Sequence, residues 1–155
     1  MDRFSSELNA LLSDTFNKIL KLEEESIKRN NKAGLSMSEL HLIEVVGKGK
    51  EVPKTISMIA VDLGITLSSV TIAVNKLVKR GFLVKQKNSE DGRSVYISLT
   101  LSGEKMFRYH SLFHEKMVRS ITEHLSLDEQ KTLIACVEKL NLLFSKNPEV
   151  VQGVE

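Results

Sequence analysis

The chain has 155 residues, of which 41% are hydrophobic, and its formal net charge is +2. This length and composition fit one compact domain, or one small domain with helical extensions, and argue against a disordered chain. The small net charge excludes a polycation, so any surface for nucleic acid has to come from local clustering. Such a cluster lies at positions 76–93, where six basic residues stand against two acidic ones.

Cys136 is the only cysteine, which excludes an intramolecular disulfide and a cysteine-based zinc site. It lies in an apolar helical pattern and is expected to be buried. No apolar stretch has the length of a signal peptide or a membrane span. We therefore expect a reduced, cytoplasmic protein that does not act at a membrane.

The first part of the chain predicts two helices. Apolar residues recur at helical spacing over 8–22, and neither Gly nor Pro occurs in the first 33 residues, which predicts one long amphipathic helix. Ser36 followed by Glu39 is a capping box, in which each side chain bonds the backbone N–H of the other residue. It predicts a second helix that runs to about position 46 and is ended by Gly47, Gly49 and Pro53.

The middle of the chain predicts two helices joined by a tight turn. Thr55 is the expected N-cap of a short helix that stops at Gly64. A second helix is predicted over 67–80, closed by Gly81. Its buried face is expected to consist of Leu67, Val70, Val74, Leu77 and Val78. Two helices joined by a turn that contains Gly are typical of a helix-turn-helix.

A β-hairpin is predicted next. Residues 82–87 and 94–99 alternate between apolar and polar types, as strands do, and the polar tip at 88–93 contains Asp91-Gly92. A hairpin directly after a helix-turn-helix is a wing.

Two further helices complete the predicted fold. One begins at Thr100 or Ser102, and a second capping box, Ser126 with Glu129, opens the last helix. The apolar face of the first comprises Met106, His110, Phe113, Met117 and Ile121. The stripe of the last helix comprises Leu133, Val137, Leu140 and Phe144. The sequence therefore predicts a mainly α fold, a winged helix-turn-helix with long N- and C-terminal helices.

The outward face of the predicted helix 67–80 has the side chains of a DNA-reading helix. It consists of Ser68, Ser69, Thr71, Ile72, Asn75, Lys76 and Lys79. Small hydroxyls at the start of a helix let backbone N–H groups approach phosphate, while Thr71, Asn75 and Lys76 lie where side chains reach base edges in a major groove. An exposed Ile72 fits contact with a thymine methyl group.

The predicted wing tip offers a second contact with DNA. Arg93 follows Asp91 by two residues, which fits an arginine delivered into a minor groove and oriented by the carboxylate. An ordinary amphipathic surface helix and an Asp-Gly pair that merely satisfies hairpin geometry are the alternatives. The contiguous order of helix, Gly turn, polar-faced helix and basic hairpin favours DNA binding over both.

Three other classes of function fit the sequence less well. An enzyme is not supported, because the chain has neither a Gly-rich phosphate loop nor a serine elbow. A non-specific architectural DNA protein would need a larger positive charge. A protein-interaction module on the same fold would carry an acidic or apolar face where this chain is polar and basic.

These residues resemble the MarR family. The resemblance rests on the runs 63–66 and 69–82, on the wing Asp91-Gly92-Arg93, and on Leu99-Thr100 with Gly103. It implies a single MarR-type domain over 1–155, in which 1–35 and 101–155 are dimerisation helices and 36–100 is the DNA-binding lobe. It also implies a homodimer on a pseudo-palindromic operator in duplex DNA, with recognition helices about 10 bp apart.

Within the family, Glu23-Glu24 and the runs 36–47 and 108–114 look most like the repressors of fatty-acid biosynthesis genes of Gram-positive bacteria (FabT-type). That resemblance implies a response to acyl chains presented on acyl carrier protein, which acts as corepressor. A ligand pocket would then include His41, Met106, His110, Phe113 and Met117, although apolar residues at helical spacing are also what a core needs.

The histidines leave a metal site open as an alternative. His110 and His114 are four residues apart on one helical face. His41 and one of Glu23, Glu24 or Glu25, with Glu24 as the first choice, are the candidate third and fourth ligands. This set resembles that of zinc-responsive repressors of metal uptake genes in the same family. A histidine on a mostly apolar face is more often a packed residue than a metal ligand. A further alternative for the function is a MarR-type regulator of small-molecule stress response.

Overall fold

The computed structural model describes residues 2–30, 33–49, 52–87 and 94–146. Within them the element order is α1 (Arg3–Asn30), α2 (Met37–Lys48), β1 (Lys54–Thr55), α3 (Ile56–Leu63), α4 (Leu67–Lys79), β2 (Leu83–Lys87), β3 (Val95–Leu99), α5 (Leu101–Glu123) and α6 (Leu127–Lys146). This order confirms the predicted winged helix-turn-helix. The predicted wing tip, with Asp91 and Arg93, lies outside the described residues.

The capping box at the start of α2 is present as predicted. The Glu39 N–H donates to Ser36 Oγ at 3.3 Å, and the Ser36 N–H donates to Glu39 Oε2 at 2.8 Å. The helix passes through Gly47 and ends at Lys48, with Gly49, one of the residues predicted to end it, as its C-cap. A glycine within the last turn is compatible with helix, and here Gly47 is buried against the Phe107 ring, where a Cβ would lie only 2.5 Å from a ring carbon.

The helix-turn-helix is built from α3 and α4. Thr55 caps α3 and Gly64 ends it in a left-handed conformation, at φ 63°, that glycine adopts without strain. Val70, Val74 and Leu77 of α4 are fully buried. The prediction that Leu67 is buried was wrong, since its side chain is 53% exposed. Leu67 is the first residue of α4, one turn before the packed face begins.

The wing is the expected hairpin with one additional strand. β2 and β3 pair antiparallel, with the register running from Leu83↔Leu99 to Lys87↔Val95. The short strand β1 was not predicted, and it pairs with the other edge of β3. β3 is therefore the central strand of a three-stranded sheet.

The chain forms two compact units, Met1–Phe113 and His114–Glu155. The core of the first unit comprises Ile27, Leu35, Leu40, Leu42, Ile43, Val46, Ile59, Ala60, Val70, Val74, Leu77, Phe82, Leu83 and Ile97.

Thr100 caps α5, since its Oγ1 accepts the Gly103 N–H at 3.1 Å. Gly103 packs directly against the Phe82 carbonyl, which a Cβ at position 103 would meet at 2.2 Å.

The second unit contains the end of α5 and α6. The capping box at Ser126 is present, with the Ser126 N–H donating to Glu129 Oε2 at 2.8 Å. The predicted burial of Cys136 was wrong, because this cysteine is exposed. The apolar stripe of α6 is also largely exposed, with Val137 at 45% and Phe144 at 53%. Periodicity identifies the apolar side of a helix but not what covers it.

Among the described residues, no single helix has both the length and the apolar character needed to cross a membrane. Within these same ranges, α3 and α4 taken together meet that test by length and composition, with a bend of 113° between them.

Candidate nucleic-acid interface

The outward face of α4 carries the side chains that the sequence assigned to it. Ile72 is 70% exposed, the largest exposure of any apolar residue in this helix. Thr71 is half-buried, and the other members of the set, Ser68, Ser69, Asn75, Lys76 and Lys79, are exposed. Because Val70, Val74 and Leu77 fill the opposite side, α4 is fixed with this polar face outward.

Three hydroxyl groups lie together at the first turn of α4. Thr66 is the N-cap, and its Oγ1 accepts the Ser69 N–H at 3.2 Å. The hydroxyl oxygens of Ser68 and Ser69 lie 3.0 and 2.8 Å from the same Thr66 oxygen. The remaining N–H groups of the first turn and the positive end of the helix dipole make this terminus favourable for a phosphate.

Two central residues of the face make hydrogen bonds, one to the helix backbone and one to the wing. Thr71 Oγ1 donates to the Leu67 carbonyl at 2.8 Å, which ties its hydroxyl to the helix backbone. Asn75 Oδ1 accepts from Lys85 Nζ of β2 at 2.6 Å. Since the amide oxygen of Asn75 is used in this way, its NH₂ group is the part that can donate to an acceptor on a base edge.

Exposed cations continue from α4 onto the wing. Lys76 and Lys79 in the last turn of α4 and Lys85 and Lys87 on β2 are all exposed. These two elements thus present positive charge next to the small polar groups of α4, as a surface for a polyanion requires.

A buried carboxylate behind α4 was missed by sequence reasoning. Glu39 is 5% exposed, and its carboxylate lies 2.9 Å from Lys76 Nζ and 3.0 Å from Arg80 Nη1. Burial by itself would raise the pKa of Glu39, but the Ser36 N–H, Lys76 and Arg80 outweigh it and hold the pKa below its usual range. The sequence signalled Glu39 only as the second member of a capping box.

Arg80 connects the end of α4 with the start of α2. Its Nη1 lies 3.0 Å from each carboxylate oxygen of Glu39, and its Nη2 donates to the carbonyls of Ala33 and Gly34. The guanidinium carbon also lies 5.6 Å from the centre of the Phe82 ring. A guanidinium suits this position because it offers several donors in fixed directions.

A second polar cluster lies in the first unit, between α1, α2 and α5. Glu23 Oε1 lies 2.6 Å from His110 Nε2 and 3.3 Å from His41 Nε2. Glu23 and His110 are buried, and the side chain of His41 is 43% exposed. The three residues are close enough to hold one metal ion.

Of the three glutamates that the sequence left open, the first choice, Glu24, is not the one in this cluster. Glu24 is exposed and pairs with Lys28 at 2.8 Å, because consecutive residues of α1 point in different directions. Glu23 is the carboxylate that faces the histidines. Glu44 was also missed, and its Oε2 lies 3.3 Å from His110 Nδ1. It stands three residues after His41 on α2, a spacing that places both on one helical side.

The residues predicted to line a ligand pocket are divided between the two units. Met106 and Phe113 are half-buried residues of the first unit, and Met117 is a half-buried residue of the second. His114, which was predicted only as a metal ligand, is also half-buried in the second unit. Within the first unit, a cavity of about 250 Å³ is lined by Gly47, Leu99, Glu104, Phe107 and Arg108. Ligand pockets are usually about 300–1,000 Å³, so this cavity alone is small for a long acyl chain.

Known proteins with similar sequence or structure are DNA-binding regulators. The model of a family described as the MarR family matches residues 33–94. The HTH-type transcriptional regulator BilQ of Clostridium symbiosum is 32% identical over 115 residues, which are 70% of this chain and 74% of BilQ. The HTH-type transcriptional regulator YhjH of Bacillus subtilis is 28% identical over 115 residues, or 74% of this chain, and the match spans 61% of YhjH, less than two thirds of its length.

A crystal structure of Streptococcus pneumoniae FabT in complex with DNA superposes with a TM-score of 0.85. It is 29% identical, and the match covers 92% of this chain and 98% of that one. The fold, the exposed basic face and the relatives together define a winged-helix transcription regulator that binds DNA. The chain belongs to the MarR family.

Proposed function

We propose that the chain is a repressor of fatty-acid biosynthesis genes and that acyl chains on acyl carrier protein increase its affinity for DNA. The observation that carries this proposal is the similarity to FabT, at 29% identity over 98% of that chain. FabT has been crystallised with DNA, and the FabT-type motifs of the sequence lie in α1, α2 and α5.

The first part of the proposal is that α4 reads the operator in a major groove while the wing enters a minor groove. The DNA-binding residues are then Ser68, Ser69, Thr71, Ile72, Asn75, Lys76, Lys79, Asp91 and Arg93. The exposure of the α4 members and the cations on β2 support this assignment.

Replacing single side chains tests it. Asn75→Ala or Arg93→Ala should weaken binding to the operator by about 1–3 kcal/mol, if each contacts DNA in a groove. Lys131→Ala is the control, because this exposed lysine lies on α6, outside the proposed DNA-binding lobe. Operator affinity at the wild-type level in both groove variants would contradict the assignment.

The second part is that two copies bind a pseudo-palindromic operator as a homodimer, with 1–35 and 101–155 as dimerisation segments and 36–100 as the DNA-binding lobe. Support comes from apolar side chains that each unit leaves exposed. They include Phe4, Leu11 and Phe16 on α1, and Ile134, Val137 and Phe144 on α6. Exposed apolar patches of this kind mark interaction sites. In a symmetric homodimer, the same patches of both copies would be buried in one interface.

Light scattering after gel filtration tests the homodimer. Wild-type protein should have twice the mass of the chain, whereas Val137→Glu should shift the mass towards the single chain, because a carboxylate would be buried without a partner in the interface. Glu138→Gln, one residue away on α6, is the control. A wild-type mass of one chain would contradict the proposal.

The third part concerns the effector. Ligand binding near the proposed dimerisation helices would change the distance between the two copies of α4 and so change affinity for a fixed half-site spacing. Operator binding should tighten when acyl carrier protein bearing a long acyl chain is added. The same carrier protein without an acyl chain is the control, and an equal effect of both would contradict an acyl response.

Zinc is a second candidate effector, favoured by one observation. Glu23, His41 and His110 bring a carboxylate and two imidazole nitrogens together, two of them on buried side chains. Nitrogen and oxygen donors suit Zn²⁺, which takes four ligands, so a fourth donor would have to complete the site. Elemental analysis and operator binding with and without zinc distinguish the candidates. Stoichiometric zinc that is lost in His110→Ala, together with zinc-dependent operator binding, would favour a regulator of metal uptake.

A further inference from the structure

The side chains of Glu39 and Arg80 connect three segments of the chain through hydrogen bonds. The Glu39 carboxylate accepts the Ser36 N–H at the start of α2 and both contacts from Arg80 Nη1 at the end of α4. Through Nη2, Arg80 also holds the carbonyls of Ala33 and Gly34. The C-terminal end of α4 is thereby attached to the start of α2 and to the residues that precede it.

Capping alone does not account for the negative charge of Glu39. A capping box is completed equally well by glutamine at this position, because either side chain can accept the N-cap N–H. A buried carboxylate next to a DNA-binding helix is also unfavourable for DNA affinity, since it repels phosphates and pairs with Lys76 at 2.9 Å. The charge also binds Arg80, which a neutral glutamine would hold less strongly.

We propose that Glu39 is a positioning residue for sequence recognition, which acts through Arg80 to fix the orientation of α4 on DNA. Lys76 can give up its contact with Glu39 and bind a DNA phosphate instead, since its side chain is 61% exposed. Arg80 and the Ser36 N–H then still compensate the buried carboxylate. The inference rests on the proposed role of α4 as the DNA-reading helix.

The proposal predicts different effects on the affinity for non-specific DNA and on the affinity for the operator. Glu39→Gln keeps the size and the capping function but removes the charge that holds Arg80 and Lys76. Affinity for non-specific DNA should stay the same or rise, because one negative charge is lost and Lys76 is released. Affinity for the operator should fall, because α4 is less well oriented. A residue that only stabilises the fold would change the fraction of active protein, not the ratio of the two affinities.

The experiment measures that ratio by fluorescence anisotropy. The specific probe is a duplex of about 30 bp selected by the wild-type protein from a random-sequence pool, and the non-specific probe is the same duplex shuffled. Glu39→Gln should lower the specific-to-non-specific ratio at least about fivefold, a typical coupling between sites. Asp14→Asn is the matched control, since it removes one exposed carboxylate of α1 that pairs with Lys18.

Arg80→Lys provides an independent variant if Glu39→Gln does not fold. It keeps the charge, but one ammonium cannot replace two guanidinium nitrogens that reach Glu39 and two carbonyls, so the ratio should fall likewise. An unchanged ratio in the folded variants, with a lowered ratio in Asn75→Ala, would overturn this inference alone. An unchanged ratio in Asn75→Ala as well would overturn the proposed reading role of α4.

Discussion

Replacing Gly103 by alanine should destabilise the protein, although alanine favours helix more than glycine does. The added Cβ would lie 2.2 Å from the Phe82 carbonyl oxygen and 3.3 Å from Leu99 Cβ. That carbonyl is not free to retreat, because it accepts the N–H of Thr100 at 3.0 Å and its hydroxyl at 3.1 Å. The first turn of α5 and the turn before β2 would have to separate.

The size of the effect follows from two opposing contributions. Forcing an extra carbon into a packed site costs about 1–3 kcal/mol. Because 2.2 Å from a backbone oxygen is a severe contact, the cost should lie at about 2–3 kcal/mol, the upper part of that range. The higher helix propensity of alanine stabilises α5 by at most about 1 kcal/mol relative to glycine. We therefore expect Gly103→Ala to lose about 1–2 kcal/mol of unfolding free energy, or about 2–8 °C in Tm for a chain of this size.

Urea unfolding followed by circular dichroism is the assay, at one fixed protein concentration because association would add to stability. Ser102→Ala is the control, since Ser102 is the exposed neighbour in the same turn and its replacement should change stability by less than about 0.5 kcal/mol. If Gly103→Ala is as stable as Ser102→Ala, with the same slope against urea, the close contact does not constrain α5.

Three other variants give predictions of different kinds. Leu77→Ala should cost about 2–5 kcal/mol in urea unfolding, because Leu77 is fully buried in α4, and a smaller loss would contradict its place in the core. Ile72→Ala should leave stability within about 0.5 kcal/mol but weaken operator binding, and the difference should vanish on an operator with uracil in place of thymine, which lacks the methyl group. The lowered pKa of Glu39 implies a contribution to stability that is present above the unfolded-state pKa and is lost as the pH falls through the folded-state value. The difference in unfolding free energy between wild type and Glu39→Gln should therefore shrink on acidification, and a difference independent of pH would contradict this origin.

Local signals in the sequence were sufficient for most of the fold. The Ser36–Glu39 and Ser126–Glu129 capping boxes, and Gly64 at the turn, mark element ends through interactions within four residues. Alternation in the wing strands likewise predicts the hairpin that the structure confirms. β1 was missed because a two-residue strand has no periodicity, and it exists only through pairing with β3.

Contacts between distant positions were beyond sequence reasoning. Arg80 reaches Glu39 across 41 positions, and His110 reaches Glu23 across 87. No spacing rule links such residues, so a capping glutamate gave no indication of its second partner. The sequence left Glu23, Glu24 and Glu25 open, with Glu24 as the wrong first choice, for a related reason. A run of acidic residues on a helix does not reveal which member faces the core.

The central place of β3 in the sheet has a consequence for how operator preference can diversify. β3 is hydrogen-bonded along both edges, by β1 and by β2, so contacts outside 88–93 fix its position. We therefore expect substitutions within 88–93 to leave the Leu83↔Leu99 register in place. Given the proposed minor-groove contact of the wing, exchanging the wing tips of related regulators should transfer the DNA preference of the donor and retain the stability of the recipient.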